Sequence, residues 1–250
     1  MFKKFFKYRI KMAKFDAFET VYQHILSGNN VLIIGEGGTG KTFMLKKLIK
    51  ILDAEDISAV MTASTGVAAS NVGGKTFHSF SGIGLGEGER DSLLKKVLGR
   101  KKIVEDIITT RVLFIDEISM LGVSIFDKVD YIFRKVRKFN EPFGGMQLVL
   151  CGDFLQLPPV NDNFIFNWEK FGQLKLKTVN LTEKKRYDDE EWSSLLSRAR
   201  VGKLSQQDSR ILKDKCEESA RINVSTFEIR PTILHCKKVD VDYENKTELK

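Results

Sequence analysis

The feature that most constrains the fold is a glycine-rich octapeptide, GEGGTGKT, at residues 35–42. It follows the apolar run VLII at 31–34, and the next segment, 43–49, carries apolar residues at helical spacing. Strand, glycine-rich turn and helix form the context in which the pattern G-x-x-x-x-G-K-[ST] builds a phosphate-binding loop. Backbone N–H groups point into such a loop, and the helix N-terminus adds positive potential. The octapeptide therefore predicts a nucleoside triphosphate site.

The side chains of this loop have separate predicted roles. Lys41 is expected to reach the β- and γ-phosphates, and the Thr42 hydroxyl to take a place on Mg²⁺. Every residue of the loop is expected to contact the nucleotide, namely Gly35, Glu36, Gly37, Gly38, Thr39, Gly40, Lys41 and Thr42.

Two acidic residues follow another apolar run. Residues 112–115, VLFI, are typical of a buried central strand, and Asp116 and Glu117 come directly after them. A hydrolase with a phosphate loop needs a carboxylate for Mg²⁺ and a group that orients the attacking water. Asp116 fits the metal role and Glu117 the water-orienting role. A small-molecule kinase is the competing interpretation, and the adjacent Glu117 favours transfer of the γ-phosphate to water.

Strands and helices alternate along the first 160 residues. Strands are predicted at 31–34, 57–61, 112–115 and 147–151, and helices at 15–28, 43–49, 91–109 and 124–138. This alternation predicts an α/β fold, a mostly parallel sheet with helices on both faces. Because ligands bind at the carboxyl ends of such strands, we expect residues 35–42, 116–117 and 152–156 to converge.

The remaining segments have weaker patterns. Residues 76–89 and 161–187 show no regular element, two helices are predicted near 189–201 and 205–219, and a strand-like run lies at 232–234.

Composition narrows the partners. The net charge of +8 and the pI of about 9.2 suit a polyanion, although a lysine-rich solvated surface gives the same charge. The cysteines, Cys151, Cys216 and Cys236, are far apart and form no zinc-binding pattern, which fits an intracellular, reducing compartment. No apolar run approaches the length of a membrane span, so we expect no membrane partner.

The basic segment 1–14 is interpreted as an arm or an exposed helix, with a transit peptide or a nuclear address as alternatives.

Two polar residues are ambiguous in their local context. Gln156 follows a strand, where its amide could sense the γ-phosphate, but a surface glutamine in a proline-rich turn fits better. His78 stands between Phe77 and Ser79, and a histidine beside aromatics is more often a packing residue. However, aromatic, glycine and hydroxyl groups clustered in a basic NTPase also suit single-stranded nucleic acid.

Taken together, these segments resemble the Pif-one family (petite integration frequency), the superfamily-one DNA helicases that translocate 5′ to 3′. The matching segments are GEGGTGKT at 35–42, TASTGVAASNVGG at 62–74, TFHSFSGIGLGEG at 76–88, FIDEISML at 114–121, PFGGMQLVLCGDFLQLPPV at 142–160 and, more loosely, LTEKKRY at 181–187. The resemblance covers most of residues 29–187 and implies a RecA-like fold that binds ATP and Mg²⁺.

The resemblance also implies residue roles. Lys41, Asp116, Glu117, Gln156 and Arg186 are expected to act in catalysis, with Thr42 and Asp116 at the metal and Arg186 reaching the γ-phosphate. Gln156 would link the nucleotide to DNA. The residues expected to hold single-stranded DNA are Thr65, Gly66, His78 and Ser79. The family's adenine-contacting glutamine has no clear counterpart, since Phe18 falls near its place, and Tyr187 stands where the family usually has glutamine.

The expected organisation is a basic arm at 1–14, a RecA-like motor domain at 15–160 with a DNA-contacting insertion at about 75–110, and a linker with an incomplete second motor domain at 161–250. The late family motifs are missing from the sequence.

The expected function is an ATP-dependent 5′-to-3′ DNA helicase, truncated after its first motor domain. The alternative is a nucleotide-dependent single-stranded-DNA-binding module that does not unwind. We expect a monomer that binds single-stranded DNA and DNA junctions. Nucleus, mitochondrion and the host cell of a virus stay open as locations, as do repair, recombination, replication and telomere maintenance as processes.

Overall fold

A computed structural model describes residues 16–184, 189–220 and 233–248. It contains two compact units, Met1–Val201 and Gly202–Lys250. The first unit carries every strand of the described chain. Among the described residues, no helix is long and apolar enough to cross a membrane.

A six-stranded, all-parallel sheet forms the centre of the first unit. Its strands are β1 (Val31–Gly35), β2 (Ala59–Ala63), β3 (Lys75–Thr76), β4 (Val112–Asp116), β5 (Gln147–Gly152) and β6 (Lys177–Leu181). They lie in the order β3-β2-β4-β5-β1-β6, and every neighbouring pair is parallel. The strand that carries the phosphate loop thus lies between β5 and β6. The predicted α/β class is confirmed.

Eight helices belong to the described part of this unit. They are α1 (Asp16–Leu26), α2 (Lys41–Ala54), α3 (Gly66–Val72), α4 (Phe77–Ser81), α5 (Arg90–Leu98), α6 (Lys101–Thr109), α7 (Val123–Arg137) and α8 (Glu190–Arg200). Short 3₁₀ turns lie at Ile118–Met120, Pro142–Gly145, Ile165–Asn167 and Phe171–Leu174. The second unit contains α9 (Gln206–Ala220) and α10 (Lys238–Glu248).

Separate hydrophobic clusters cover the two faces of the sheet. Successive strand side chains point to opposite faces, so Leu113 and Phe114 of β4 belong to different clusters. The Leu113 cluster contains Phe126 of α7, whereas the Phe114 cluster contains Leu48 of α2 and Phe18 of α1. Helices therefore cover both faces, as predicted.

Four secondary-structure predictions are wrong in detail. The predicted helix at 91–109 is two helices, because α5 ends at Leu98 and Gly99 and Arg100 separate it from α6. Residues 76–89 contain α4, which begins where the Thr76 side chain accepts the Ser79 N–H. Residues 161–187 contain β6, which pairs with β1 at the sheet edge and so extends the sheet beyond residue 160.

The fourth difference lies in the second unit. Ile233 and Leu234, predicted as part of a strand-like run, lie outside any strand and are exposed, while Thr232 lies outside the described residues. Only two consecutive residues of this run, Ile233 and Leu234, are apolar, too few to bury one face of a strand.

Candidate active site

The phosphate loop connects β1 to α2, as predicted. Gly38 and Gly40 have φ angles of +86° and +84°, a left-handed region that glycine adopts without steric cost. A β-carbon on Gly35 would lie 2.7 Å from the Leu181 carbonyl oxygen and 2.8 Å from Thr39 Oγ1. The loop can therefore follow this path only with glycine at these positions.

Lys41 lies inside the curl of this loop. The residue is buried, and its ammonium Nζ donates to the carbonyl oxygens of Gly35 at 2.8 Å and Glu36 at 2.9 Å. The Thr39 hydroxyl donates to the same Glu36 oxygen at 2.9 Å. A buried ammonium at the start of a helix attracts anions, and phosphate oxygens are stronger partners for it than carbonyls.

The two predicted metal-binding residues are in direct contact. The Thr42 hydroxyl donates to Asp116 Oδ2 at 3.0 Å, and Asp116 Oδ1 accepts the Glu117 N–H at 2.9 Å. Asp116 is only 2% exposed, so its carboxylate faces the loop and not bulk solvent. Hydroxyl and carboxylate oxygens are the hard ligands that Mg²⁺ prefers.

The number of these ligands also fits Mg²⁺ bound together with a nucleotide. Within the described residues, no group of three or more His, Cys, Asp or Glu side chains could hold a metal ion. Mg²⁺ commonly uses one or two protein ligands and completes its shell with phosphate oxygens and water. Thr42 and Asp116 therefore suit an ion that arrives with a triphosphate.

Glu117 has an unusual backbone at the end of β4. Its φ and ψ angles, 52° and 45°, are left-handed, a conformation that costs a non-glycine residue about 1–3 kcal/mol. This conformation turns the chain away from the strand directly after Asp116, and Glu117 is only partly buried. The two acidic neighbours consequently occupy different environments.

Cys151 of β5 is a neutral neighbour of Asp116. The residue is fully buried, and burial followed by the Asp116 charge raises the pKa of its thiol well above the ordinary value. The thiol therefore remains protonated and adds no charge beneath the site.

Gln156 lies against the phosphate loop. A β-carbon on Gly37 would be 3.5 Å from Gln156 Nε2, and the Gln156 N–H donates to the Asp153 carbonyl oxygen at 2.9 Å. Gln156 is also exposed. It is therefore a surface residue that lies beside the predicted phosphate site, and the two interpretations of its local context do not exclude each other. The three predicted segments thus converge at one edge of the sheet.

A network of charged side chains, which the sequence analysis did not predict, lies beside the phosphate loop. The Arg200 guanidinium contacts Asp153 through Nε–Oδ2 at 2.8 Å and Nη2–Oδ1 at 2.7 Å. Glu36 accepts the Ser197 hydroxyl at 2.7 Å and lies 3.3 Å from Lys184 Nζ. Lys184 falls in the loosely matching segment 181–187, whereas Ser197 and Arg200 belong to no motif. Only their proximity in the fold identifies them.

Hydrogen bonds and charges within the network keep both carboxyl groups ionised. The Ser197 hydrogen bond lowers the pKa of Glu36 against the opposing effect of burial, with further contributions from Lys184 and Arg200. Burial acts to raise the pKa of Asp153, but hydrogen bonds from Arg200 and from the Leu155 N–H leave it below its usual value.

The residues predicted to hold DNA occupy two positions. Thr65 accepts the Ala68 N–H at 3.2 Å and caps α3, and Gly66 is the exposed first residue of that helix. His78 and Ser79 instead line an open cavity together with Arg100. Thr65 and Gly66 do not line that cavity, but Ser64, which directly precedes Thr65, does.

Phe77, and not His78, is the residue that packs in the core at this position. Phe77 is fully buried and stacks on Phe126 with a centroid separation of 6.5 Å. His78 is partly buried, and burial lowers the pKa of its imidazole, which favours the neutral form.

The remaining predicted positions lie either outside the described residues or in the core. Arg186 and Tyr187 lie outside the described residues, as does segment 1–14. Phe18, near the place of the family's adenine contact, is a core residue with Lys47 Nζ 4.6 Å from its ring centroid.

Comparisons with known proteins point to one helicase family. A family model described as PIF1-like helicase matches residues 12–210. The ATP-dependent DNA helicase PIF1 of Danio rerio is 39% identical over 236 residues, covering 92% of this chain and 36% of that protein. The protein of the same name from Saccharomyces cerevisiae (strain YJM789) is 36% identical over 242 residues, covering 92% of this chain and 27% of that protein.

Solved structures show the same similarity. A crystal structure of Pif1 helicase from Candida albicans has a TM-score of 0.82 and 37% identity, covering 94% of this chain and 54% of that one. The Bacteroides Pif1 helicase in complex with ADP-AlF3 and ssDNA has a TM-score of 0.80 and 29% identity, covering 94% of this chain and 56% of that one. The chain thus spans about a third or less of the two curated relatives and about half of these crystallised chains.

Proposed function

Because the chain belongs to the PIF1-like helicase family, we propose that it is the ATP-binding motor part of a DNA helicase that moves 5′ to 3′ along single-stranded DNA and unwinds duplex. The observation that carries the proposal is the contact between Thr42 and Asp116 at the foot of a loop that encloses Lys41. Loop, hydroxyl and carboxylate are the parts that phosphoryl transfer from ATP requires.

The residues divide the work of hydrolysis. Lys41 exchanges its two carbonyl partners for β- and γ-phosphate oxygens, while the loop N–H groups hold the remaining phosphate charge. Thr42 and Asp116 would hold Mg²⁺, which when bound neutralises charge on the β- and γ-phosphates. Glu117 is proposed to orient the attacking water and accept its proton, and Gln156, which lies against Gly37 of the loop, is proposed to sense the γ-phosphate.

Arg186 completes the proposed set. It is proposed to stabilise the charge that develops on the transferred phosphoryl group, as an arginine finger does. This assignment rests on the family motif, since Arg186 lies outside the described residues.

DNA is the proposed partner. The net charge of +8 favours a polyanion, and the cavity with His78, Ser79 and Arg100 offers hydrogen-bond donors and a cation. Thr65 and Gly66, at the start of α3, are proposed to contact the same DNA strand.

We also propose that the protein acts as a monomer on single-stranded DNA and junctions. Its proposed location is a reducing compartment inside the cell, which three free cysteines support.

The proposed organisation assigns residues 15–160 to ATP binding, with 75–110 as the DNA-contacting insertion and 161–250 as a linker and the start of a second motor domain. Within 161–250, β6 belongs to the sheet of the ATP-binding part. Translocation needs two lobes that close on ATP and open after hydrolysis.

ATP turnover measured with and without single-stranded DNA tests the proposal. We expect turnover that DNA stimulates and that Lys41→Ala abolishes, because phosphate binding loses its central cation. Arg111→Ala, an exposed arginine at the other end of β4, is the control and should retain turnover. Turnover that persists at the parent rate in Lys41→Ala would contradict the assignment of this site.

A second candidate is a nucleotide-dependent DNA-binding module that has little catalytic activity and does not unwind. The nucleotide site and the predicted DNA residues all lie within one compact unit, Met1–Val201, which favours binding by this unit alone. Turnover of ATP by the 250-residue chain that disappears in Lys41→Ala would exclude this candidate, whereas nucleotide-dependent DNA binding without turnover would support it.

A further inference from the structure

Arg200 contacts both the phosphate loop and the loop that follows β5. Its bidentate contact with Asp153 uses Nε and Nη2, and its remaining nitrogen, Nη1, lies 3.7 Å from Glu36 Oε1. Asp153 follows β5 directly, and Glu36 belongs to the phosphate loop. One guanidinium at the end of α8 therefore bridges two segments that are more than 100 residues apart in sequence.

The contact with Asp153 is strong and well shielded. The Asp153 side chain is 1% exposed and that of Arg200 is 25% exposed. A fork-like arginine–carboxylate pair fixes geometry as well as charge, and removing one member of a buried pair leaves the other uncompensated. The pair thus strongly restricts where residue 153 can lie.

Asp153 in turn determines the path of the following loop. Its carboxylate Oδ1 accepts the Leu155 N–H at 3.1 Å, and its carbonyl oxygen accepts the Gln156 N–H at 2.9 Å. These two bonds form the turn that brings the Gln156 amide over Gly37. The position of Gln156 consequently depends on the orientation of Asp153.

Glu36 connects the same helix to the phosphate loop. A carboxylate in a loop that binds a triphosphate repels its ligand unless the carboxylate is neutralised. Ser197 donates to Glu36 at 2.7 Å, Lys184 lies at 3.3 Å, and Arg200 approaches from the other side. Through Ser197 and Arg200, helix α8 therefore fixes the Glu36 side chain and, together with Lys184, offsets its charge.

From this geometry we propose that Arg200 is a positioning residue for ATP hydrolysis. It fixes the separation between the phosphate loop and Gln156 and touches neither ATP nor the attacking water. The inference rests on the proposed ATPase function of this site. A displacement of about 1 Å in a catalytic group can lower a rate about 100-fold, so a positioning role should appear mainly in kcat.

The test measures kcat and KM for ATP in the parent chain and in Arg200→Ala, Arg200→Lys and Asp153→Asn. We expect kcat to fall about 10- to 100-fold in all three variants, with KM changed less than about threefold. Lysine retains the charge but loses the fork, so it should rescue only a small part of the rate. Arg111→Ala is the matched control and should retain the parent kcat, and thermal melting establishes that each variant is folded.

A double-mutant cycle with Gln156→Ala separates positioning from general destabilisation. If Arg200 acts through Gln156, the second substitution should add little once Arg200 is alanine. Fully additive losses, or a parent-like kcat in Arg200→Ala, would overturn the proposal. A parent chain that neither binds nor hydrolyses ATP would instead contradict the proposed function.

Hydrogen exchange provides a readout that does not depend on turnover. Loss of the Arg200 fork should speed exchange of the Leu155 and Gln156 amides in Arg200→Ala, because the turn that protects them is released. Unchanged protection there would count against the inference even if the chain were inactive.

Discussion

At the scale of single residues, the environments of Asp116 and Glu117 explain why two adjacent carboxylates can have different roles. Asp116 is buried and accepts hydrogen bonds from Thr42 and from the Glu117 N–H, which fix its carboxylate beside the phosphate loop. Glu117 follows in a left-handed conformation and is only partly buried. The strained backbone at this position is consistent with a functional constraint.

Replacing Glu117 by glutamine should separate binding from hydrolysis. Glutamine preserves the size of the side chain but cannot accept a proton, so we expect ATP affinity within about threefold of the parent and a fall in kcat of about 100-fold or more. Binding is measured with a fluorescent nucleotide and turnover by phosphate release. Glu169→Gln, an exposed glutamate, serves as the control. Hydrolysis at the parent rate in Glu117→Gln would remove Glu117 from the water-orienting role.

At the scale of elements, α7 contributes to the hydrophobic cluster on one face of the sheet through a group of aromatic rings. Phe126 is fully buried, with ring centroids 4.7 Å from Phe143 and 5.2 Å from Trp168. Phe143 itself has a positive φ of 53°, a conformation that this packing must stabilise. The cluster lies on the face of the sheet opposite α1 and α2.

Truncating Phe126 to alanine should therefore destabilise the whole first unit. A fully buried phenylalanine replaced by alanine loses about 3–5 kcal/mol of unfolding free energy, because a cavity remains in a close-packed core. Urea denaturation followed by circular dichroism measures the loss. Phe139→Ala is the matched control, since Phe139 follows α7 but is 55% exposed, and it should cost about 1 kcal/mol or less. Equal losses in the two variants would show that Phe126 is not a core residue.

The elements also show which parts of the fold and of the site can be predicted from the sequence. The phosphate loop was predictable because eight consecutive residues encode its glycine conformations and its ligands, and β4 because it is continuously apolar. β6 was missed because it is an edge strand in which only Val179 and Leu181 are buried. Arg200 was missed because it meets Asp153 across 47 positions of sequence, and no local pattern records such a pair.

At the scale of the whole molecule, the net charge of +8 predicts that DNA affinity depends on salt concentration. Each phosphate contact on a single strand contributes about −0.7 to the slope of log affinity against log salt. With about four contacts, affinity should fall about 50-fold between 50 and 200 mM salt. Fluorescence anisotropy of a labelled oligonucleotide measures this slope, and an affinity independent of salt would contradict a phosphate-based interface.

The same titration can locate the interface. Arg100 lines the cavity with His78 and Ser79, and its loss should make the slope shallower by about 0.7, because one fewer counterion is released. Arg111→Ala removes another exposed arginine, which directly precedes β4 at the opposite end of that strand from Asp116, and should leave the slope unchanged. The paired variants carry the same net charge, so a difference between them reports position and not total charge. Equal slopes in the two variants would place the DNA elsewhere on the molecule.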